Sequence, residues 1–430
     1  MASLLTKHRA TVRRTHRNSP PWAVRPTAIH VTARSSKVDV AIVGSGIIAL
    51  FIAHDILEKT DLSVAVVERA GGLCAGATGA GQGYLWQLHR DPLNAEAWRM
   101  AQEGRARWRQ LAEVDPSFTL DACGSLLLAT TPAERDELEA RVAAVNDALP
   151  QEDRAVFLPT RDRVVREEPS LGQSFAPVLA GALLPSDAQI DGQATTRAMF
   201  EKCSRFSRFQ SHFGAPVEHL IVRGGAARGV SCADGLEVSA DAVCVCAGAW
   251  SSVLLSSWIE GKAGNRWRDA IIPRRGHLLR VQPQRAGGRK RRLLKHGIME
   301  SSYSKHYTSL RENNDRNHEE YDITFTATES HTENGTLLLG SSRELGDFDQ
   351  TANPYAVQDI MRVARSYLPS LLDGSELLLE TRVGLRPFST TGPIVGPVDG
   401  AQDLYVAAGH EGSGLTLAPA TANAILSFFV

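Results

Sequence analysis

The chain has 430 residues, enough to bury a large core and to divide into two domains. Its apolar share of 43% and charged share of 22% suit a globular enzyme, and a formal net charge of −1 gives no overall field to attract nucleic acid or an anionic membrane. No apolar run approaches the roughly 18 residues that a membrane span needs. Six cysteines without paired spacing argue against a zinc module and a disulfide scaffold, so no metal is expected.

The first 37 residues hold eight Lys and Arg, and no acidic residue precedes Asp39. That composition cannot build a packed core. With its Met1-Ala2-Ser3 opening, the segment 1–36 reads as a transit peptide directed to the chloroplast, with the mitochondrion as the alternative. A disordered extension without a targeting role has the same composition.

From Lys37 the pattern changes. Val38, Val40, Ile42 and Val43 form a β-branched run, as in a buried parallel strand. Gly44-Ser45-Gly46-Ile47-Ile48-Ala49 follows, then apolar residues at helical spacing, then a second strand, 63–67, ending in Glu68. Gly44 allows a tight strand-to-helix turn and Gly46 lets a pyrophosphate approach the backbone. The helix N-terminus offers N–H groups and partial positive charge to phosphates, and Glu68 suits ribose hydroxyls. Strand, turn, helix, strand and acid in register predict dinucleotide binding, without separating FAD from NAD. The glycine-rich stretch 71–83, with Ala77, Thr78 and Gly83, follows Arg69 and is suited to wrapping a pyrophosphate; a plain surface loop is the alternative.

Leu120–Ala129 reads as a strand, and Thr131-Pro132-Ala133-Glu134 opens a helix reaching about Leu149. Residues 183–192 look like a crossing between domains. Val217–Val222 and the glycines 224–225 have hairpin chemistry. Residues 240–251 form an apolar strand ending in Ala247-Gly248-Ala249-Trp250, with Cys244 and Cys246 on one face as packing residues. Ile271–Leu279, including His277, and Gly335–Gly340 read as strands of an antiparallel sheet. Arg285–Lys295 contains six basic residues without interleaved aromatics, which fits a solvated loop rather than a nucleic-acid surface.

Four segments together resemble the D-amino-acid oxidase superfamily of flavoproteins, nearest its glycine oxidase, sarcosine oxidase and D-amino-acid dehydrogenase branch. They are the glycine turn at 44–49, the strand at 240–251, Gly384-Leu385-Arg386-Pro387 with 391–396, and Gly409-His410-Glu411-Gly412-Ser413-Gly414-Leu415-Thr416. The resemblance covers residues 38–430. It implies an α/β fold: a Rossmann-like FAD-binding domain (37–115, 190–270 and 351–430) with an inserted α+β substrate domain (116–189 and 271–350) built on an antiparallel sheet. It implies non-covalent FAD held by Gly44, Ser45, Gly46, Ile47, Ile48, Glu68, Arg69, Ala77, Thr78, Gly83, Val217, Ala247, Gly248, Trp250, Arg386 and Gly412–Thr416. Arg386 would pair bidentately with a substrate carboxylate; a structural pairing with Glu380 or Asp399 is the alternative. His277 is a candidate acid–base or oxygen-activating group, and equally a core histidine. Tyr303 and Tyr307 are candidate substrate hydrogen-bonders, and equally packing residues. The implied reaction is oxidation of the C–N bond of a small amino acid or N-substituted amino acid, with oxygen or a quinone or electron carrier as final acceptor. A 2-hydroxy acid substrate, or flavin binding without turnover, are the rivals. The closing helix ends at Val430, sooner than in typical relatives.

Overall fold

A computed structural model describes residues 35–259, 261–284, 292–303, 321–330 and 335–430. Most of the segment 1–36, most of the basic cluster at 285–295, and Tyr307 lie outside the described residues. Among the described residues, no helix is long and apolar enough to cross a membrane.

The β-branched run forms the strand Val40–Val43, buried along its whole length at the heart of a six-stranded sheet. Val64–Glu68 and Ala242–Val245 flank it in parallel, Leu404–Ala408 follows in parallel, and Ile394–Pro397 closes that edge antiparallel. The helix Ile47–Lys59 leaves the first strand through the glycine turn. It packs with the helices Gly192–Ser204 and Gly414–Leu426 over one sheet face, burying Phe51, Ile52 and Ile56 completely. This is the expected Rossmann-like half. Cys244 and Cys246 lie on one face of their strand, buried, with Sγ atoms 3.6 Å apart, as packing thiols.

The second half is an eight-stranded, mainly antiparallel sheet with Leu377–Phe388 at its edge beside Ile272–Gln282 and Leu337–Leu345. Its place in this sheet moves a boundary drawn from the sequence. The stretch 351–430 was assigned whole to the FAD-binding domain. Yet the helix Pro354–Tyr367 lays Ile360, Met361 and Ala364 on the eight-stranded sheet, and Leu377–Phe388 is one of its strands. Burial of that apolar helix face decides the matter, and only the strands from Ile394 onward return to the six-stranded sheet.

The predicted strand 120–129 is two strands. Leu120–Asp121 joins a small sheet between the halves, and Ser125–Ala129 joins the large one. Gly124, at φ 73°, swivels the chain between them. The expected helix is present as Pro132–Ala148: Thr131 Oγ1 accepts from Glu134 N, and the Glu134 carboxylate accepts from Thr131 N. The hairpin is present too, with Val217–Arg223 and Ala226–Cys232 joined through Gly224 and Gly225, both at positive φ.

Candidate active site

The two halves meet around a cavity of about 400 Å³, within the usual range for small-molecule sites. Every residue singled out from the sequence and described in the structure lines it, except Ser413 and Thr416. Those two face the protein instead. Ser413 Oγ accepts from Arg90 Nη1 (3.1 Å) and Thr416 Oγ1 donates to the Tyr84 carbonyl (2.8 Å), so they fasten the last helix rather than wall the cavity.

On the six-stranded side, Gly44 sits at φ 108°, where a Cβ would strike the carbonyl of Cys246. The turn therefore has to be glycine. Gly46 starts the helix Ile47–Lys59 with no side-chain cap, so its first turn opens toward the cavity, with Thr78 Oγ1 accepting from Ile47 N (3.3 Å). The Glu68 carboxylate is held from behind. Oε2 accepts from Ser45 N and Oγ, both at 2.9 Å, and Oε1 accepts from Ala70 N at 2.8 Å. At that end the Arg69 guanidinium lies 3.5 Å over the Trp250 ring, and Phe348 lies 5.2 Å from that ring on its loop.

On the eight-stranded side, Gly276 stands directly opposite Gly384, and Arg274 directly opposite Arg386. Paired residues of antiparallel strands project from one face. The two glycines open a trough there: a Cβ on Gly276 would strike the Arg386 guanidinium, and one on Gly384 would come within 2.7 Å of Ala80 Cβ. Arg386 is half-buried and donates from Nη1 to the Ser342 carbonyl (3.1 Å); its other N–H groups make no hydrogen bond among the described residues. The acids proposed as structural partners are engaged elsewhere, Glu380 with Arg280 and Arg382, and Asp399 with Arg266.

His277 is buried in the cavity wall. Its Nε2 accepts from Asn353 N (2.9 Å), and Nδ1 is 2.7 Å from Ser342 Oγ, which also accepts from the His277 backbone N–H. Both ring nitrogens are committed, and burial lowers its pKa below the ordinary imidazole value, with the Arg275 and Arg386 charges adding to the effect. It braces Ser342, whose carbonyl accepts from Arg386. Tyr303 is buried in the wall with Arg343 stacked 3.8 Å over its ring.

Residues 39–427 match the family model described as FAD dependent oxidoreductase, DAO. The chain belongs to this family. It is 26% identical over 399 residues to an uncharacterized oxidoreductase, YurR, of Bacillus subtilis, covering 88% of this chain and 91% of that one. It is 26% identical over 396 residues to a glycine oxidase of Pseudomonas aeruginosa, covering 89% and 92%. The crystal structure of glycine oxidase from Bacillus cereus superposes with a TM-score of 0.71 at 24% identity, covering 91% and 94%, which shows a shared fold.

FAD is the cofactor of this oxidoreductase, and the residues present fit it. Gly44 allows backbone contact, the uncapped helix start suits a pyrophosphate, and Glu68 keeps further lone pairs for ribose hydroxyls while its position is fixed. Among the wall residues that the sequence reading did not single out are Glu411 and Gly276. Glu411 has φ +47° and is buried, a charged residue inside a glycine-rich loop, and that oddity was the available signal. Gly276 had none, because its role depends on a strand partner more than a hundred residues away.

Proposed function

We propose that this oxidoreductase removes a hydride from the carbon of a C–N bond in a small amino acid or N-substituted amino acid, giving an imine that water hydrolyses. The observation that carries the reading is the Arg386 fork, which lines the cavity and is anchored by one N–H to the Ser342 carbonyl. A planar guanidinium matches a carboxylate in two parallel hydrogen bonds. The glycine oxidases among the relatives support the same class of substrate.

Bound FAD supplies the two-electron acceptor, and the protein's own groups do the positioning. Arg386 holds the carboxylate end. Gly276 and Gly384 leave room for it beside the strands, and His277 with Ser342 fixes the arginine's angle.

Anaerobic mixing of the purified yellow protein with glycine, sarcosine, proline and D-amino acids tests this directly. Loss of visible flavin absorbance with at least one amine is expected. A flavin that stays oxidised with all of them and bleaches with a 2-hydroxy acid would overturn it. Oxygen uptake against dye or quinone reduction then distinguishes an oxidase from a dehydrogenase. The segment 1–36 is proposed to direct the chain to the chloroplast; a fluorescent protein fused behind it should enter plastids, and mitochondrial or cytosolic fluorescence would reject that.

A further inference from the structure

Glu411 sits where the eight-stranded sheet, the strand Leu404–Ala408 and the last helix converge on the cavity. It is only 8% exposed. One carboxylate oxygen, Oε2, accepts from Gly412 N. The other, Oε1, has no hydrogen-bond partner, and the cations nearest to it are Arg274 Nη1 at 3.6 Å and Arg343 Nε at 3.9 Å. Those distances are too long for hydrogen bonds and are those of loose ion pairs. A buried acceptor left without a hydrogen bond is costly. So is holding a glutamate at φ +47°. A bound group that donates to Oε1 would explain why both costs persist.

We infer that Glu411 recognises the substrate nitrogen and makes the site prefer an amine to an alcohol. The inference rests on the amine reading above. Arg386 holds the carboxylate, Arg274 is its neighbour on the same sheet face, and Glu411 stands beside Arg274. Arg386 and Glu411 line the same cavity, so one ligand can meet both a carboxylate-binding and a nitrogen-binding group. The neutral amine donates an N–H to Oε1. When the C–H bond breaks, its electron pair goes to the flavin, the C–N bond becomes C=N, and nitrogen acquires a positive charge. A fixed anion in a dry wall stabilises that charge as it develops. A hydroxy acid must instead lose its hydroxyl proton to reach a neutral carbonyl. That product carries no positive charge beside Glu411 for the carboxylate to stabilise.

Two experiments on the holoenzyme test the inference. In Glu411→Gln, kcat/KM for the best amine should fall about 10²- to 10³-fold, while acetate affinity, read from the flavin difference spectrum, stays within a few-fold. Unchanged turnover overturns the assignment. So does parallel loss of turnover and acetate binding, which would mark Glu411 as a structural counter-ion to Arg274. The second experiment needs no variant. Trimethylglycine and 3,3-dimethylbutanoate have the same shape and differ by the charge at one atom. The cationic compound should bind wild-type protein about tenfold more tightly or better. An affinity no greater than that of the neutral isostere overturns the inference. Failure of every amine to bleach the flavin is a separate result and would strike the amine reading itself.

Discussion

Arg274 stands directly opposite Arg386 across the strands Ile272–Gln282 and Leu377–Phe388, so two guanidiniums share one face of the sheet. Like charges so placed repel one another. Glu411 stands beside the first, and Arg274 also lies 3.7 Å over the Phe388 ring. The second has room for an anion that the cavity admits. Replacing Arg386 with lysine keeps the charge and loses the fork. Arg386→Lys should lower acetate affinity and kcat/KM for the amine by roughly 10- to 100-fold, the value of a charge-assisted hydrogen bond. FAD content should not change. Retained acetate affinity in difference-spectrum titration would rule out the carboxylate role.

The two opposed glycines should have separable effects. Gly276→Ala pushes a methyl group into the Arg386 guanidinium, whereas Gly384→Ala pushes one toward Ala80 on the glycine-rich loop. The first variant should raise KM at normal FAD content, and the second should weaken FAD retention. Dialysis followed by absorbance per chain, with steady-state kinetics alongside, checks both. The reverse pattern would mean the trough has been misassigned.

His277 and His410 predict a response to acid. Burial brings the pKa of His410 from 6.5 to about 4, and that of His277 also lies below the ordinary value. Folded-state values lie below unfolded ones, so between those pH limits the unfolded chain takes up protons that the folded chain refuses. Stability is complete above about pH 6.5 and is lost as the pH falls, by roughly 3 kcal/mol for His410 near pH 4. His410→Gln should flatten the slope of unfolding free energy between pH 6.5 and 4 in urea titrations. An unchanged slope would refute the assignment. His277→Asn should cost stability and leave the shape of the kcat/KM pH profile intact, because both ring nitrogens are already hydrogen-bonded to Asn353 and Ser342.

Glu68 is gripped by Ser45 and Ala70 before any ribose arrives. Glu68→Ala removes the acceptor for all three donors and should weaken FAD binding at least tenfold, given about 1.5–3 kcal/mol per hydrogen bond to a charged group. Flavin fluorescence titration of the apoprotein measures this. Non-covalent attachment predicts that heating wild-type protein leaves a yellow supernatant above a colourless pellet.

Legibility in the sequence followed locality. The glycine turn, its helix and Glu68 occupy 25 consecutive residues, 44 to 68, and local spacing was enough to read them. The hairpin at 217–232 and the Thr131 cap were legible for the same reason. What depends on distant pairing was not. His277 is committed by Ser342 and Asn353, the glycine trough needs two strands aligned, and the helix at 354–367 changes domain because of the surface it covers. Ser413 and Thr416 were drawn in by their neighbours Gly412 and Gly414. Around a helix start, adjacent side chains point in different directions, and these two turn toward Arg90 and Tyr84.

The helix Gly414–Leu426 packs against Ile47–Lys59, so segments far apart in the chain build one wall. A nascent polypeptide still on the ribosome has the glycine turn but not its closing partner. Cofactor capture is therefore expected only once both segments have been made. A chain stalled before that helix emerges should be left colourless and exposed to proteolysis.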